Sequence, residues 1–284
     1  MKKIWDKIFL KKEKKKQEIR EENRFNVFLE QTEDKLNQKT IIDTKQKHNG
    51  DPILEFKNVY KYFGANNKIC AVNNLSFTLY DNENVALIGA NGAGKTTTVE
   101  MLAGITNQSK GEINYLFDYT INFQEKIGIQ FQDSAYPNGL KVKHIIKFIV
   151  DVYKVDINDA EIEQMITAFG LKEFYNRKAK SLSGGQQQRL NILLALIHKP
   201  KIVILDELST GLDISVRTKI IDFIIHYCKF FNIQILLISH NMDEVELITD
   251  RIMIMQKGQL KVDLRKKDVI KKYGSIQKLA EKYI

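Results

Sequence analysis

Nine consecutive residues, Gly89-Ala90-Asn91-Gly92-Ala93-Gly94-Lys95-Thr96-Thr97, have the types and the spacing to hold a polyphosphate, since they fit Gly-x-x-x-x-Gly-Lys-[Ser/Thr]. Glycines let a backbone turn tightly around an anion with its N–H groups pointing inward. The start of a following helix adds unpaired amides and the positive end of its dipole. In such a loop Lys95 reaches the β- and γ-phosphates and the Thr96 hydroxyl ligates Mg²⁺. A glycine-rich turn with no ligand is the alternative, and the flanks bear on the choice. The apolar run Val85-Ala86-Leu87-Ile88 precedes the loop and a helix-capable stretch, residues 97–102, follows it. That is the strand, loop, helix order of a phosphate-binding loop.

Two further constellations carry hydrolytic chemistry. The buried-strand pattern Ile202-Val203-Ile204-Leu205 ends on Asp206 and Glu207, at the carboxyl edge where open α/β sheets bind their ligands. Asp206 suits a hold on Mg²⁺ and Glu207 the polarisation of an attacking water, the division of labour that phosphoryl transfer to water needs. Leu182-Ser183-Gly184-Gly185-Gln186 precedes a helix that runs through Arg189 and Leu193. Ser183 is suited to the N-cap, and the two glycines expose amide donors, so this is a second helix start built for an anion.

With the second glycine-rich start beside the phosphate loop, the chain resembles the ATP-binding-cassette (ABC) ATPases, whose signature residues 182–186 match. The resemblance covers residues 53 to about 260. Within Ile127-Gly128-Ile129-Gln130-Phe131-Gln132-Asp133, Gln132 matches the family's glutamine that contacts Mg²⁺ and the attacking water, with Gln130 as the other register. Ser209-Thr210-Gly211-Leu212-Asp213 is similar to the D-loop, Asp213 being its acid, and His240 matches the switch histidine that contacts the γ-phosphate. Lys61-Tyr62-Phe63-Gly64 resembles the segment whose aromatic ring stacks on adenine, through Phe63 or else Tyr62. Leu208 stands where the family usually has proline after the catalytic glutamate.

The resemblance implies an ATPase that uses ATP and Mg²⁺. It implies a head-to-tail dimer with a second copy or a homologous ABC ATPase, the signature of one closing on the nucleotide of the other. It also implies a polytopic membrane subunit on a separate chain, docked on the helical segment after Gln132, and a peripheral place on the cytoplasmic face of the cell membrane. Residues 131–144, with Lys141-Val142-Lys143, look most like the ATPases that pair with ABC-2-type exporter membrane subunits. The competing reading is a soluble ABC ATPase acting on nucleic acid or ribosomes. Such relatives usually carry two cassettes or a long coiled-coil insertion, and the sequence has neither, so no nucleic-acid partner is expected.

Positioning these residues requires an α/β architecture of the P-loop NTPase type, with a mainly parallel core sheet, an N-terminal antiparallel β subdomain and an α-helical insertion. Residues 53–59 and 71–79 have the partial alternation of half-buried strands around the turn-forming Gly64-Ala65-Asn66-Asn67. Val142, Ile145, Ile146 and Ile149 recur at helical spacing, as do Ile162, Met165, Ile166 and Phe169. They predict a helical subdomain over about 133–182. Apolar runs at 202–205 and 233–238 alternate with helices, which implies parallel neighbours. The expected organisation is a basic, partly helical or disordered extension over 1–50, the ATPase domain over 51–260 and a basic tail over 261–284.

At 284 residues and 43% hydrophobic content, the chain can bury a core and is not disordered throughout. Its net charge of +9 sits at the ends. Residues 1–50 hold 14 Lys/Arg against 9 Asp/Glu and residues 251–284 hold 10 against 3, which leaves 20 against 23 between them. A catalytic core that binds nucleic acid carries its positive charge on its own faces, so this distribution argues against one. Cys70 and Cys228 lack metal-ligand spacing and read as reduced thiols. The Lys-rich start is followed by no apolar h-region, and the apolar stretch over 220–238 is interrupted by Asp222, His226, Lys229, Asn232 and Gln234. Neither a secretory signal nor a membrane span is expected.

Overall fold

The computed structural model describes residues 40–43, 48, 50–64, 68–131, 136–208 and 210–284, with the backbone alone at 214 and 215. Most of the expected N-terminal extension lies outside them. The described chain forms two units: an inserted unit, Glu125–Ile233, and a flanking unit made of residues 40–124 and Gln234–Ile284.

The flanking unit begins with the two-residue β1 (Ile41–Ile42), β2 (Pro52–Phe63) and β3 (Ile69–Tyr80). The β2 and β3 strands pair antiparallel with Phe56 opposite Phe77, their rings stacked 4.6 Å apart, and the alternate residues Leu54, Phe56, Leu75, Phe77 and Leu79 are buried. Both strands outrun the alternation seen in the sequence, because the ladder continues through Tyr62 opposite Cys70 and Phe63 opposite Ile69. Where its register breaks, Asn58 and Asn74 take left-handed backbone (φ 48° and 52°) and join side chains, Asn58 Nδ2 donating to Asn74 Oδ1 at 3.0 Å. The fully buried β4 (Val85–Ile88) leads into α1 (Lys95–Leu102). The helix stops where the sequence predicts, with Gly104 at φ 66° and its N–H donated to Met101 O at 3.0 Å. A strand that the sequence pattern did not reveal, β5 (Lys110–Tyr115), pairs with the other side of β2 and completes a three-stranded antiparallel sheet.

The inserted unit holds β6 (Ile127–Gln130), α2 (Val142–Tyr153), α3 (Asp159–Ala168), α4 (Gly184–Leu196), β7 (Ile202–Asp206) and α5 (Ile214–Phe230). Helix α2 buries Val142, Ile145, Ile146 and Ile149, the residues whose spacing predicts it. Asn158 and Glu161 form a capping box at the head of α3, each side chain bonding the other's backbone N–H at 3.0 Å. The β6 and β7 strands are parallel, Gln130 opposite Leu205. Strand β6 lies so close to α4 that a Cβ on Gly128 would fall 2.0 Å from Ala195 O.

The chain returns to the flanking unit with β8 (Gln234–Ile238), α6 (Met242–Ile248), β9 (Arg251–Gln256), β10 (Gln259–Arg265), α7 (Lys266–Tyr273) and α8 (Ile276–Tyr283). Its second sheet runs β1-β10-β9-β4-β8, in which β4 is parallel to both neighbours and only β9 and β10 are antiparallel. The basic tail expected over 261–284 is folded into this unit as β10, α7 and α8. Val262 and Leu264 of β10, Val269 of α7 and Ile276, Leu279 and Tyr283 of α8 are buried, while Lys267, Lys271, Lys272, Lys278 and Lys282 between them are exposed. At the base of the sheet, Arg251 is 3% exposed and holds Asp263 through two bonds of 2.6 and 2.7 Å, Glu83 at 3.2 Å and Thr78 O at 2.8 Å. Of the two cysteines, Cys70 on β3 is exposed, whereas Cys228 in α5 is buried and its thiol is pushed up to about 12. Among the described residues no helix is long and apolar enough to cross a membrane.

Candidate functional site

In the flanking unit, β4 is buried along its whole length, so the chain leaves the sheet at Ile88 with little freedom. Two glycines then permit a close fit that no side chain would allow. A Cβ on Gly89 (φ 154°) would fall 2.3 Å from Met255 O, and one on Gly94 (φ 101°) 2.6 Å from Ala71 O. Gly94 is the N-cap of α1, so the loop ends on the unpaired amides of a helix start. Lys95 is buried and bends back over the loop, with Nζ donating to Gly89 O at 2.5 Å and Ala90 O at 3.1 Å. Thr96 is exposed, and Thr97 and Thr98 are buried behind it. The hydroxyl suited to a metal is thus the one that faces outward. The loop is braced from behind by the turn between β9 and β10: Gly258 N–H donates to Ala93 O, and Gly258 O accepts from Asn73 N–H, both at 2.9 Å.

His240 follows β8 in the same unit. Its turn is fixed by Ser239 Oγ, which donates to Glu244 Oε2 at 2.8 Å and accepts from Asn241 N–H at 3.0 Å. Asn241 caps α6 through the N–H groups of Asp243 and Glu244. Partial burial, and then the positive charge of Lys95, lower the His240 pKa from its ordinary value of 6.5. At neutral pH it is an uncharged imidazole that can donate one hydrogen bond. Phe63 and Tyr62 end β2, Phe63 lying under Lys61 Nζ at 5.0 Å from the ring centre.

In the inserted unit, β7 delivers Asp206 and Glu207 at its carboxyl end. Glu207 has a φ of 56°, a left-handed conformation that costs a non-glycine residue about 1–3 kcal/mol and persists only where its surroundings enforce it. Gln130 of β6 bonds both backbone polar groups of Asp206, accepting from its N–H and donating to its carbonyl at 3.0 Å each. Gln188 of α4 donates to Glu207 O at 3.0 Å and Leu208 O at 3.2 Å.

The glycine-rich start of α4 forms as predicted. Ser183 is the N-cap, its hydroxyl accepting from Gln186 N–H at 3.3 Å while its own N–H donates to Gln186 Oε1 at 2.9 Å. The two glycines differ. A Cβ on Gly185 would lie 2.5 Å from Gly211 O, whereas none of the described residues lies within 4 Å of one on Gly184. Gly211 and Leu212 are thus packed against one side of the helix start, and among the described residues the other side is open. Asp213 is exposed at the head of α5, and its charge acts on Arg189 of α4.

The flanking unit therefore carries the phosphate loop with Lys95, Thr96 and His240. The inserted unit carries Ser183–Gln186 on α4 and Asp206 and Glu207 at the end of β7, joined by Gln188, with Asp213 at the head of α5. Gln132 and Ser209 lie outside the described residues. Gln130 is fully buried and its amide is occupied by backbone groups of Phe131 and Asp206. Three contributors escaped the sequence reading: Gln130 and Gln188 as backbone clamps, and Gly258 as the brace. For Gly258 a signal existed, because Lys257-Gly258 between two apolar runs is a hairpin turn, and both residues take positive φ (49° and 75°).

The family model described as ABC transporter matches residues 72–210. The chain is 32% identical over 229 residues to the oligopeptide transport ATP-binding protein OppF of Streptococcus mutans, an alignment that covers 75% of this chain and 74% of that protein. It is also 32% identical over 215 residues to the spermidine/putrescine import ATP-binding protein PotA of Clostridium novyi, covering 73% of this chain and 60% of PotA. Among solved structures, the fold is similar to that of the ATP-binding cassette MJ0796 in a dimeric post-hydrolysis state bound to ADP and Pi, with a TM-score of 0.66, 22% identity and coverage of 75% of this chain and 98% of that one.

Proposed function

The chain belongs to the ABC transporter ATP-binding family, and from that premise we propose how its residues divide the work of hydrolysing ATP. It is an ATPase that uses ATP with Mg²⁺ as the ATP-binding subunit of a transporter. In our reading the loop 89–97 holds the triphosphate, Lys95 lies against its terminal phosphates, and the aromatic ring of Phe63, or of Tyr62, covers the adenine. Mg²⁺ takes hard oxygen donors and keeps few protein ligands beside phosphate oxygens and water. The outward hydroxyl of Thr96 and the carboxylate of Asp206 fit that preference, with Gln132 as the family's third contact. The ion, when bound, neutralises charge on the β- and γ-phosphate oxygens.

Glu207 is the general base. Its carboxylate accepts the proton of a water whose oxygen attacks the γ-phosphorus, the bond to the β-phosphate oxygen breaks, and ADP and inorganic phosphate leave. His240, uncharged at neutral pH, donates one hydrogen bond to the γ-phosphate. The signature start 183–186 of a second copy, or of a homologous ATPase, meets that phosphate from the far side, and Asp213 faces the partner across the same junction. The observation that carries this reading is the start of α4: a capped, glycine-rich helix head whose Gly184 side is open among the described residues while the Gly185 side is filled by its own chain.

The partner driven by this cycle is a polytopic membrane subunit on another chain, docked on the helices that follow Gln132, and the ATPase sits peripherally on the cytoplasmic face. We assign the direction as export, from the likeness of residues 131–144 to ATPases of ABC-2-type exporters. The test of the chemistry is Glu207→Gln. It should retain ATP binding, lose turnover by about 100-fold or more, and accumulate as an ATP-dependent dimer in gel filtration; turnover at the parent rate would overturn the assignment of the base. Purification from native membranes should bring down a polytopic chain, and the direction of ATP-driven flux in vesicles containing both chains decides between export and import.

A further inference from the structure

A general base must point the same way in every turnover, yet Glu207 sits on a turn with two reasons to wander. Its own φ is 56°, and the next residue is Leu208, whose φ is free, where a proline ring would have fixed it. The turn is held instead by two buried amides. Gln130, fully buried, pins the Asp206 N–H and carbonyl, and so the peptide plane that enters Glu207. Gln188, 5% exposed, donates to the carbonyls of Glu207 and Leu208, and so holds the plane that leaves it. With both planes fixed, φ and ψ of Glu207 are fixed, and with them the direction of its Cα–Cβ bond.

The second clamp is on the helix whose head is the glycine-rich anion seat. Gln188 is two residues beyond the Ser183–Gln186 capping box, in the second turn of α4. Three residues further on, buried Asn191 accepts from the hydroxyl of buried Tyr136, so the same helix face also holds the chain just after the segment of Gln132. Apart from these two amides, residues 190–196 of the helix are buried and apolar. A packed, hydrogen-bonded helix moves as a body, so a displacement at its head reaches Gln188 undiminished.

We propose that Gln188 is a positioning residue for Glu207, and that it couples the anion seat at the head of α4 to the base at the end of β7 in the same chain. The inference rests on the reading of Glu207 as the base. In a head-to-tail dimer those two features serve different nucleotides, the helix head the partner's and Glu207 the chain's own. The contact therefore passes the occupancy of one nucleotide site to hydrolysis at the other, and a base misplaced by an ångström loses about 100-fold in rate.

The test uses the full chain and steady-state ATP hydrolysis. Gln188→Met keeps the length of the side chain and removes both donors. It should lower kcat by about 10-fold or more with KM for ATP within about 2-fold, and bring the Hill coefficient down to about 1. A kcat within about 2-fold of the parent would overturn the proposal, as would a loss that only follows a fall in folded protein or an equal rise in KM. Gln188→Glu gives a second readout. A carboxyl buried against two carbonyl oxygens can donate only when protonated, so its kcat relative to the parent should climb as the pH is lowered from about 8 to about 6. A flat ratio would overturn the proposal even if the methionine variant fails to fold. Glu207→Gln is assayed alongside: if that variant turns over normally, the assignment of the base fails, whatever Gln188 does.

Discussion

Adjacent glycines at the head of α4 make opposite demands. Alanine at 185 places a methyl against the carbonyl of Gly211, whereas alanine at 184 meets none of the described residues. Gly185→Ala should destabilise the fold by about 1–3 kcal/mol, read from the urea midpoint. Gly184→Ala should leave that midpoint in place and reduce ATP-dependent dimerisation, because its methyl intrudes only on what approaches from outside. Equal effects on stability would contradict this division. At this scale the sequence was legible where a ligand dictates residue type: phosphate demands glycine, lysine and hydroxyl at set intervals, and no core packing imitates that spacing. Gln130 and Gln188 were not legible. A buried glutamine announces nothing until the fold shows whose carbonyls it faces.

The element least readable in advance was the stretch after residue 258. Its lysines, counted together, suggested a tail; taken by position, they alternate with Val262, Leu264, Val269, Ile276, Leu279 and Tyr283, all buried. Net charge is a property of the surface and says little about the residues beneath it. Strand β10 also contributes Asp263 to the buried pair with Arg251. Removing one partner of a buried pair strands the other, so Arg251→Met should cost about 3–5 kcal/mol in chemical denaturation, more than an exposed lysine of α7 exchanged in the same way. Another element carries a pH response. Beyond the end of α4, burial brings His198 from 6.5 down to about 4. The unfolded chain binds the extra proton between those values, so this contribution to stability is complete above about pH 6.5 and is lost as the pH falls towards 4, by up to about 3 kcal/mol. Unfolding midpoints measured against pH should show that slope, and His198→Phe should flatten it.

For the molecule as a whole, hydrolysis consumes the ligand that closes the dimer, so an intact base and a lasting dimer exclude one another. If Glu207 is the base, as proposed, Glu207→Gln breaks that exclusion. With ATP present at about 100 times its Kd, the variant should gain roughly 2.7 kcal/mol of apparent stability, seen as a rise in Tm that persists, while the parent's rise decays as ATP is used. The architecture was recoverable from the sequence in its alternation of apolar runs and helical periods. The two-unit arrangement was not, because a chain that leaves one unit at Gln124 and returns to it at Gln234 carries no marker at either crossing.

The unequal cysteines give the protein a single chemical handle. Thiolate is the form that reacts; partial burial raises the Cys70 thiol too, but Cys70 is exposed while Cys228 is buried and pushed up to about 12, so at neutral pH a maleimide should find only Cys70. One adduct in the intact mass, and none after Cys70→Ser, would verify this. Because Cys70 stands directly across the ladder from Tyr62, a dye placed there sits beside the strand end whose Phe63, or else Tyr62, is proposed to cover adenine, and its emission would report nucleotide arrival without any engineered residue.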